Sequence, residues 1–229
     1  MAQRWNTLLF AHWRLPPESL RPLVPASLPL DLFDGSAWVS VTPFWLSRLR
    51  ARGLPAVPWM SQFPELNVRT YVTLGGKAGV FFFSLDAGSA LAVAGARLMY
   101  HLPYYRASMN VREGSDGAIF YHSSRTHRGA RPADFDAHYR PTGAVFTAAA
   151  GTLDHWLTER YCLYAVDQRS DVYRAEIHHR PWPLQRAHAE IGLNTMAKAA
   201  GITLPANPPV LAFARRLDVV VWPPQRARS

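Results

Sequence analysis

Apolar residues in this chain come mostly in short runs that alternate with polar ones, and glycine and proline punctuate the runs. Such alternation puts one set of side chains on each face of an extended strand, so it predicts a chain dominated by β-structure. Residues 30–46, LDLFDGSAWVSVTPFWL, carry an Asp34-Gly35 turn between extended arms, with Trp38, Val39, Val41 and Phe44 as apolar positions, and predict a hairpin. In FPELNVRTYVTLGGKAGVFFFSLDA the GGK triplet separates two apolar runs, predicting a second hairpin with arms over Leu66–Leu74 and Val80–Leu85. Further strands are expected over YYRASMNVRE, AIFYHSSRTH, VYRAEIHHRPWPL and PVLAFARRLDVVVWP.

Helices are few. LPPESLRPLVP predicts a short one from Pro17, stopped by Pro22 and Pro25. SALAVAGARLM, from Ser89 to Met99, has a serine suited to the N-cap, and Pro103 closes the segment. A third is expected near Thr152–Leu157, leading into a strand, and RAHAEIGLNTMAKAAGI predicts another that ends near Gly201. Arg48–Met60, with two prolines, a glycine and three arginines, predicts an exposed loop lying over a pocket. No repeat, low-complexity tract or linker divides the chain, so residues 1–229 are expected to form one α+β domain, mainly antiparallel.

Composition narrows the chemistry. Cys162 is the only cysteine, which excludes an intrachain disulfide and a cysteine-rich zinc site and suits a reducing compartment. It follows Tyr161 in an apolar run and is expected to be a buried small hydrophobe. No apolar run approaches the length of a membrane span and the N-terminus lacks a signal-peptide pattern, so a soluble cytoplasmic protein is expected, without a membrane partner. The net charge is +9, and lysine accounts for only two basic residues, Lys77 and Lys198, leaving arginine for the other 23 of 25. The arginines are dispersed, without the aromatic interleaving or groove-sized helix that a nucleic-acid reader needs, so no nucleic-acid partner is expected. A homo-oligomer is left open. The nine histidines include His178-His179, but neighbours on a strand face opposite ways, and no HExxH or HxH spacing occurs; no metal and no cofactor are expected.

One strand carries a polar face that packing does not require. Glu65, Asn67, Arg69 and Tyr71 fall on one side of the 63–74 run, with Leu66, Val68, Thr70 and Val72 on the other. Glu65 and Arg69 stand roughly 13 Å apart at the usual rise per residue, too far to pair directly. The face is either solvated or turned into a cavity.

The blocks LLFAHWRLPPESLRPLVP, FPELNVRTYV, GVFFFSLDA, AVAGARLMYHLPYYRA, LTERYCLY and HRPWPLQRA together resemble the uncharacterised bacterial YqjF-like family, DUF2071, and span most of the chain. That family is distantly similar to acetoacetate decarboxylase, which implies a β-barrel-like α+β fold, mainly antiparallel, with a few short helices around an apolar cavity. Acetoacetate decarboxylases carry a Gly-Arg-Glu element, a proline, and two adjacent lysines, one of which forms the Schiff base. Gly95, Arg97 and Pro103 resemble that frame, and Tyr104-Tyr105 stand where the lysines would be. A phenol forms no imine, so Schiff-base chemistry is not carried over.

The resemblance then implies a pocket for a small carbonyl- or carboxylate-bearing molecule. Arg69 or Arg97 would hold the anion with help from Asn67, Tyr104 or Tyr105 would donate a hydrogen bond, and Glu65 or His101 would move a proton. Two alternatives stay open: the tyrosine pair serves only packing, and the protein is a non-catalytic binder or scaffold that has lost decarboxylase-type activity. Whether it is an enzyme is left open with them.

Overall fold

The computed structural model describes residues 1–50 and 61–227, apart from the side chains of residues 96 and 98. Its strands are β1 (Ala2–Leu15), β2 (Ala37–Arg50), β3 (Phe63–Leu74), β4 (Lys77–Ala87), β5 (Tyr104–Glu113), β6 (Ile119–Arg125), β7 (Asp134–Phe146), β8 (Cys162–Val166), β9 (Val172–His179), β10 (Leu184–Asn194), β11 (Val210–Val221) and β12 (Gln225–Arg226). Four short helices interrupt them: α1 (Pro17–Leu20), α2 (Ala90–Tyr100), α3 (Leu153–Thr158) and α4 (Met196–Ala199). The expected α+β architecture, mainly antiparallel with few helices, is what the chain forms.

All twelve strands belong to one sheet that closes on itself twice. Five strands, β11-β1-β2-β3-β4, form a shared wall. From β4 a parallel step to β8 at Val80↔Leu163, then β9, returns to β11 through Val219↔His179 and closes a smaller ring. A second parallel step, β4 to β5 at Leu85↔Tyr104, continues through β6, β7 and β10 to β11 and closes a larger one. Parallel neighbours cannot be joined by a tight turn, and α2 supplies the crossover between β4 and β5. Ser89 caps α2, its Oγ accepting from the Ala92 amide at 3.3 Å.

Over most of β1, β2 and β3 the shared wall has no solvent face. Alternate residues of β1, β2 and β3 point into the smaller ring, among them Phe10, Phe44 and Tyr71, while Leu9, Val41, Leu66 and Val68 point into the larger. Both sets are buried, which is why β3 is buried from Phe63 to Val72 without a break. Gly79 allows the closing step to β8: a Cβ there would stand 2.6 Å from Cys162 Sγ. Cys162 itself is a buried free thiol, as its apolar surroundings in the sequence suggest.

The GGK hairpin forms as expected, with Gly75 and Gly76 both at positive φ and Leu74 opposite Lys77. Three expectations need correction. Residues 186–194 are strand β10, not helix: Arg186, His188 and Glu190 are exposed while Ala187, Ala189 and Ile191 are half-buried, a period of two that the good helix formers in this segment mask. Only Met196–Ala199 is helical there. The Asp34-Gly35 turn exists, but its first arm contributes only isolated bridges, Leu30↔Val72 and Phe33↔Ser36, because β1 takes the edge of β2. Arg48 and Arg50 belong to β2, paired alongside β1, and the remainder of the loop expected over 48–60 lies outside the described residues.

Candidate functional site

The smaller ring encloses a cavity of about 310 Å³. Its polar groups come largely from the shared wall. Glu65, Asn67 and Arg69 project into it from β3 at alternate positions, all of them buried. The pleat of a strand covered on both faces leaves them nowhere else to go.

Tyr104 joins them from the start of β5. Its hydroxyl faces both carboxylate oxygens of Glu65, at 3.4 and 3.3 Å. Burial pushes the Glu65 carboxyl up to about 7, against the opposing pull of hydrogen bonds from Asn67 and Tyr104, and nearby Asp86 adds to the rise. A carboxyl so placed exchanges its proton near neutrality. Burial, reinforced by the charge of Glu65, drives the Tyr104 phenol well above its ordinary value, so it stays a donor.

Arg69 is buried with Nε and Nη2 lacking any hydrogen-bond partner. Burial lowers its proton affinity, but from so high a start that the guanidinium remains charged. A second guanidinium, Arg160, enters from the segment between α3 and β8. It donates through Nε to the Trp156 carbonyl at 2.6 Å and through Nη1 to Asp31 Oδ2 at 2.5 Å, while its Nη2 has no partner. Both guanidinium carbons lie near the Tyr71 ring, Arg160 at 5.0 Å and Arg69 at 5.9 Å from its centroid. Two indoles that line the cavity, Trp5 and Trp182, stack at 5.7 Å and also keep their Nε1 donors unpaired. Unpaired buried donors cost free energy, and their concentration here marks a place built for acceptors.

Behind Arg69, the Tyr71 hydroxyl meets His12 Nδ1 at 3.1 Å. Burial, with the charge of Arg69 as a lesser cause, holds His12 well below the usual histidine value, so it is neutral at neutral pH. His179 borders the cavity, its Nδ1 2.8 Å from the Arg180 carbonyl, and burial lowers its pKa too.

Of the residues singled out in the sequence, Glu65, Asn67, Arg69 and Tyr104 meet in one cavity; Tyr105, His101 and Arg97 do not line it. Tyr105, next to Tyr104 on a strand, faces the other way: the Arg125 guanidinium lies 4.1 Å over its ring and His127 meets it edge-on. It thereby covers the buried Arg125–Asp86 ion pair, with Nε–Oδ1 at 2.6 Å. His101 takes the left-handed cap position after α2, φ 53°, and its ring lies against Tyr173 at 4.9 Å. Arg97 is exposed, but its Nη1 donates to the Tyr104 carbonyl at 2.8 Å and so fixes the backbone that carries the phenol.

Arg160, Trp5 and Trp182 were not foreseen. Trp182 lies in the Pro-Trp-Pro segment past the end of β9, within the run expected as a strand, and Arg160 lies in an irregular segment with no periodicity. Neither lysine of the chain lines the cavity: Lys77 pairs with Glu176 at 2.5 Å, and Lys198 is in α4. Among the described residues no cluster of histidine, cysteine, aspartate or glutamate could hold a metal ion, and no helix is long and apolar enough to cross a membrane.

Known proteins share both the sequence and the fold. The chain is 52% identical over 223 residues to the uncharacterized protein YqjF of Bacillus subtilis (strain 168), covering 97% of this chain and 90% of that one. Among solved structures, the enduracididine biosynthesis enzyme MppR, complexed with the condensation product of pyruvate and imidazole 4-carboxaldehyde, superposes with a TM-score of 0.68 at 11% identity, over 98% of this chain and 88% of its own. An acetoacetate decarboxylase-like enzyme from Sphingomonas wittichii RW1 gives 0.66 at 13% identity, over 99% and 92% of the two chains. Acetoacetate decarboxylase from Legionella pneumophila gives 0.61 at 13% identity, over 100% and 88%. At these identities the structures speak for the fold. The family model of DUF2071, uncharacterized conserved proteins, matches residues 2–218, and this chain belongs to that family, built on the fold of the acetoacetate decarboxylase-like enzymes.

Proposed function

We propose that the cavity binds a small molecule carrying a carboxylate and a carbonyl group, and that Glu65 moves a proton on the carbon beside that carbonyl without any Schiff base. The observation that carries this reading is the meeting, in one buried cavity, of unpaired guanidinium donors on Arg69 and Arg160 with a carboxyl that titrates near neutrality. The carboxylate seats on the two guanidiniums, which present N–H groups in a planar fork suited to it. Glu65, as carboxylate, accepts the proton from the adjacent carbon while the C–H electron pair moves toward the carbonyl oxygen. Tyr104, at 3.3 Å or more from Glu65, is loosely enough held to turn its hydroxyl to that oxygen. Asn67, whose side chain hydrogen-bonds Glu65, keeps that carboxylate turned toward the ligand. That the structural neighbour MppR has been solved complexed with pyruvate agrees with a ligand of this class.

The test is calorimetric titration of pyruvate into the protein, followed by proton NMR of its methyl group in D₂O. Binding that Arg69→Met weakens tenfold or more, and methyl deuteration that Glu65→Gln abolishes, are expected. Binding without deuteration would favour a non-catalytic ligand-binding protein, and the absence of binding by pyruvate and by longer 2-oxo acids alike would overturn the proposal.

A further inference from the structure

The charge, size and mouth of the cavity restrict its ligand further, given the reading above. Among the described residues that line the cavity, one positive charge is left for a ligand. The charge of Arg160 is already balanced by Asp31 at 2.5 Å, although its Nη2 still donates to a ligand, and burial holds His12 and the cavity-lining His179 toward the neutral form, which leaves Arg69 to balance the ligand's charge. One guanidinium balances one carboxylate, and a second carboxylate would be buried without a partner, at severe cost.

Away from that end the walls are apolar and largely aromatic: Trp5, Phe44, Phe63, Phe82 and Trp182. Even at the loose share of bulk water, roughly 30 Å³ per molecule, the volume of about 310 Å³ holds about ten non-hydrogen atoms. A short acid such as pyruvate leaves about half of that space unfilled and its apolar lining without contacts. The cavity also continues outward along an apolar strip. Leu91, Gly95 and Met99 recur at every fourth position of α2 and border the opening, with Leu91 and Met99 exposed by 64% and 65%.

We infer that the ligand is a monocarboxylic oxo acid with an extended apolar body, its head on Arg69 and its tail running between the aromatic walls toward Leu91 and Met99. Short oxo acids and dicarboxylates fit the head site but not the rest. Each methylene that enters the walls strengthens binding about fourfold.

Calorimetry on the full chain with four probes decides it: pyruvate, 2-oxoglutarate, phenylpyruvate and 2-oxooctanoate. Phenylpyruvate or 2-oxooctanoate is expected to bind at least tenfold more tightly than both pyruvate and 2-oxoglutarate. Leu91→Gln and Met99→Gln, neutral replacements at exposed positions, are expected to cut that advantage by weakening the longer acids more than pyruvate. If pyruvate or 2-oxoglutarate binds as tightly as the longer acids in an Arg69-dependent manner, the apolar-body inference is overturned and the carboxylate reading stands. If none of the four binds, both fall.

Discussion

Glu65→Gln should make the protein more stable at alkaline pH and leave it nearly unchanged in acid. The unfolded chain gives up the Glu65 proton near the ordinary value of 4.5, whereas the folded cavity holds it until about 7. Below 4.5 both states are protonated and the side chain imposes no penalty. Between the two values the unfolded state ionises first, so stability falls as pH rises and levels off once the folded carboxyl has also ionised. At roughly 1.4 kcal/mol per pH unit, the ionised side chain costs the fold about 3 kcal/mol above pH 8, an upper figure because the loss of the Tyr104 and Asn67 contacts acts against the gain in the variant. Glutamine keeps the volume and removes the charge. Urea denaturation of both proteins at half-unit steps from pH 4 to 9 reads the difference directly, since titrations of His12 and His179 are common to both and cancel. The stability difference should grow in favour of the variant across the window from 4.5 to 7 and then stay flat. A difference that is constant across the whole range would refute the assignment of a buried, late-titrating carboxyl.

Three other outcomes are expected. Tyr104→Phe removes a donor that steadies the Glu65 carboxylate, so the carboxyl titration followed by carbon NMR should move above 7, whereas Tyr105→Phe, on the opposite face, should not shift it. Asp86→Ala leaves the Arg125 guanidinium buried and unpaired, and should cost about 3–5 kcal/mol in chemical denaturation, while the double replacement Asp86→Leu with Arg125→Met should recover most of that loss. Borohydride added to the protein with pyruvate should leave no stable mass increase on Lys77 or Lys198, because neither lysine borders the cavity; a mapped adduct at either would contradict the absence of imine chemistry.

The sequence carried much of this site because the site is local where it matters. Glu65, Asn67 and Arg69 share a face through the two-residue period of one strand, and that period needs no knowledge of the rest of the chain. What the period does not reveal is the medium on either side. A polar face on a strand is usually a wet one, and only the pairing of β3 between β2 and β4, inside two rings, turns it inward. Tyr104 and Tyr105 show the same limit: that they point apart follows from the pleat, but which one reaches Glu65 depends on the parallel register of β5 against Leu85 and Asp86. Arg160 and Trp182 stand far from β3 in the chain and arrive through tertiary packing that no short-range pattern encodes. The misread helix over 186–194 failed for a different reason, since alanine and glutamate favour helices locally and the half-burial of alternate residues beside β7 outweighed them.

The wall between the two rings ties the site to residues that no ligand can touch. Leu66 and Val68 alternate with Glu65, Asn67 and Arg69 along the same backbone, and their side chains anchor in the opposite core against partners such as Leu9 and Val41. A change in the volume of either cannot be absorbed by solvent, because β3 has none on that side; it must be taken up by the strand, which then shifts the carboxylate and the guanidinium together. Selectivity can therefore be tuned from behind. Members of the family that keep every cavity-lining residue could still differ in what they accept, through conservative exchanges of valine, leucine and isoleucine on the hidden side of this partition, and a search for specificity determinants confined to the lining would overlook them.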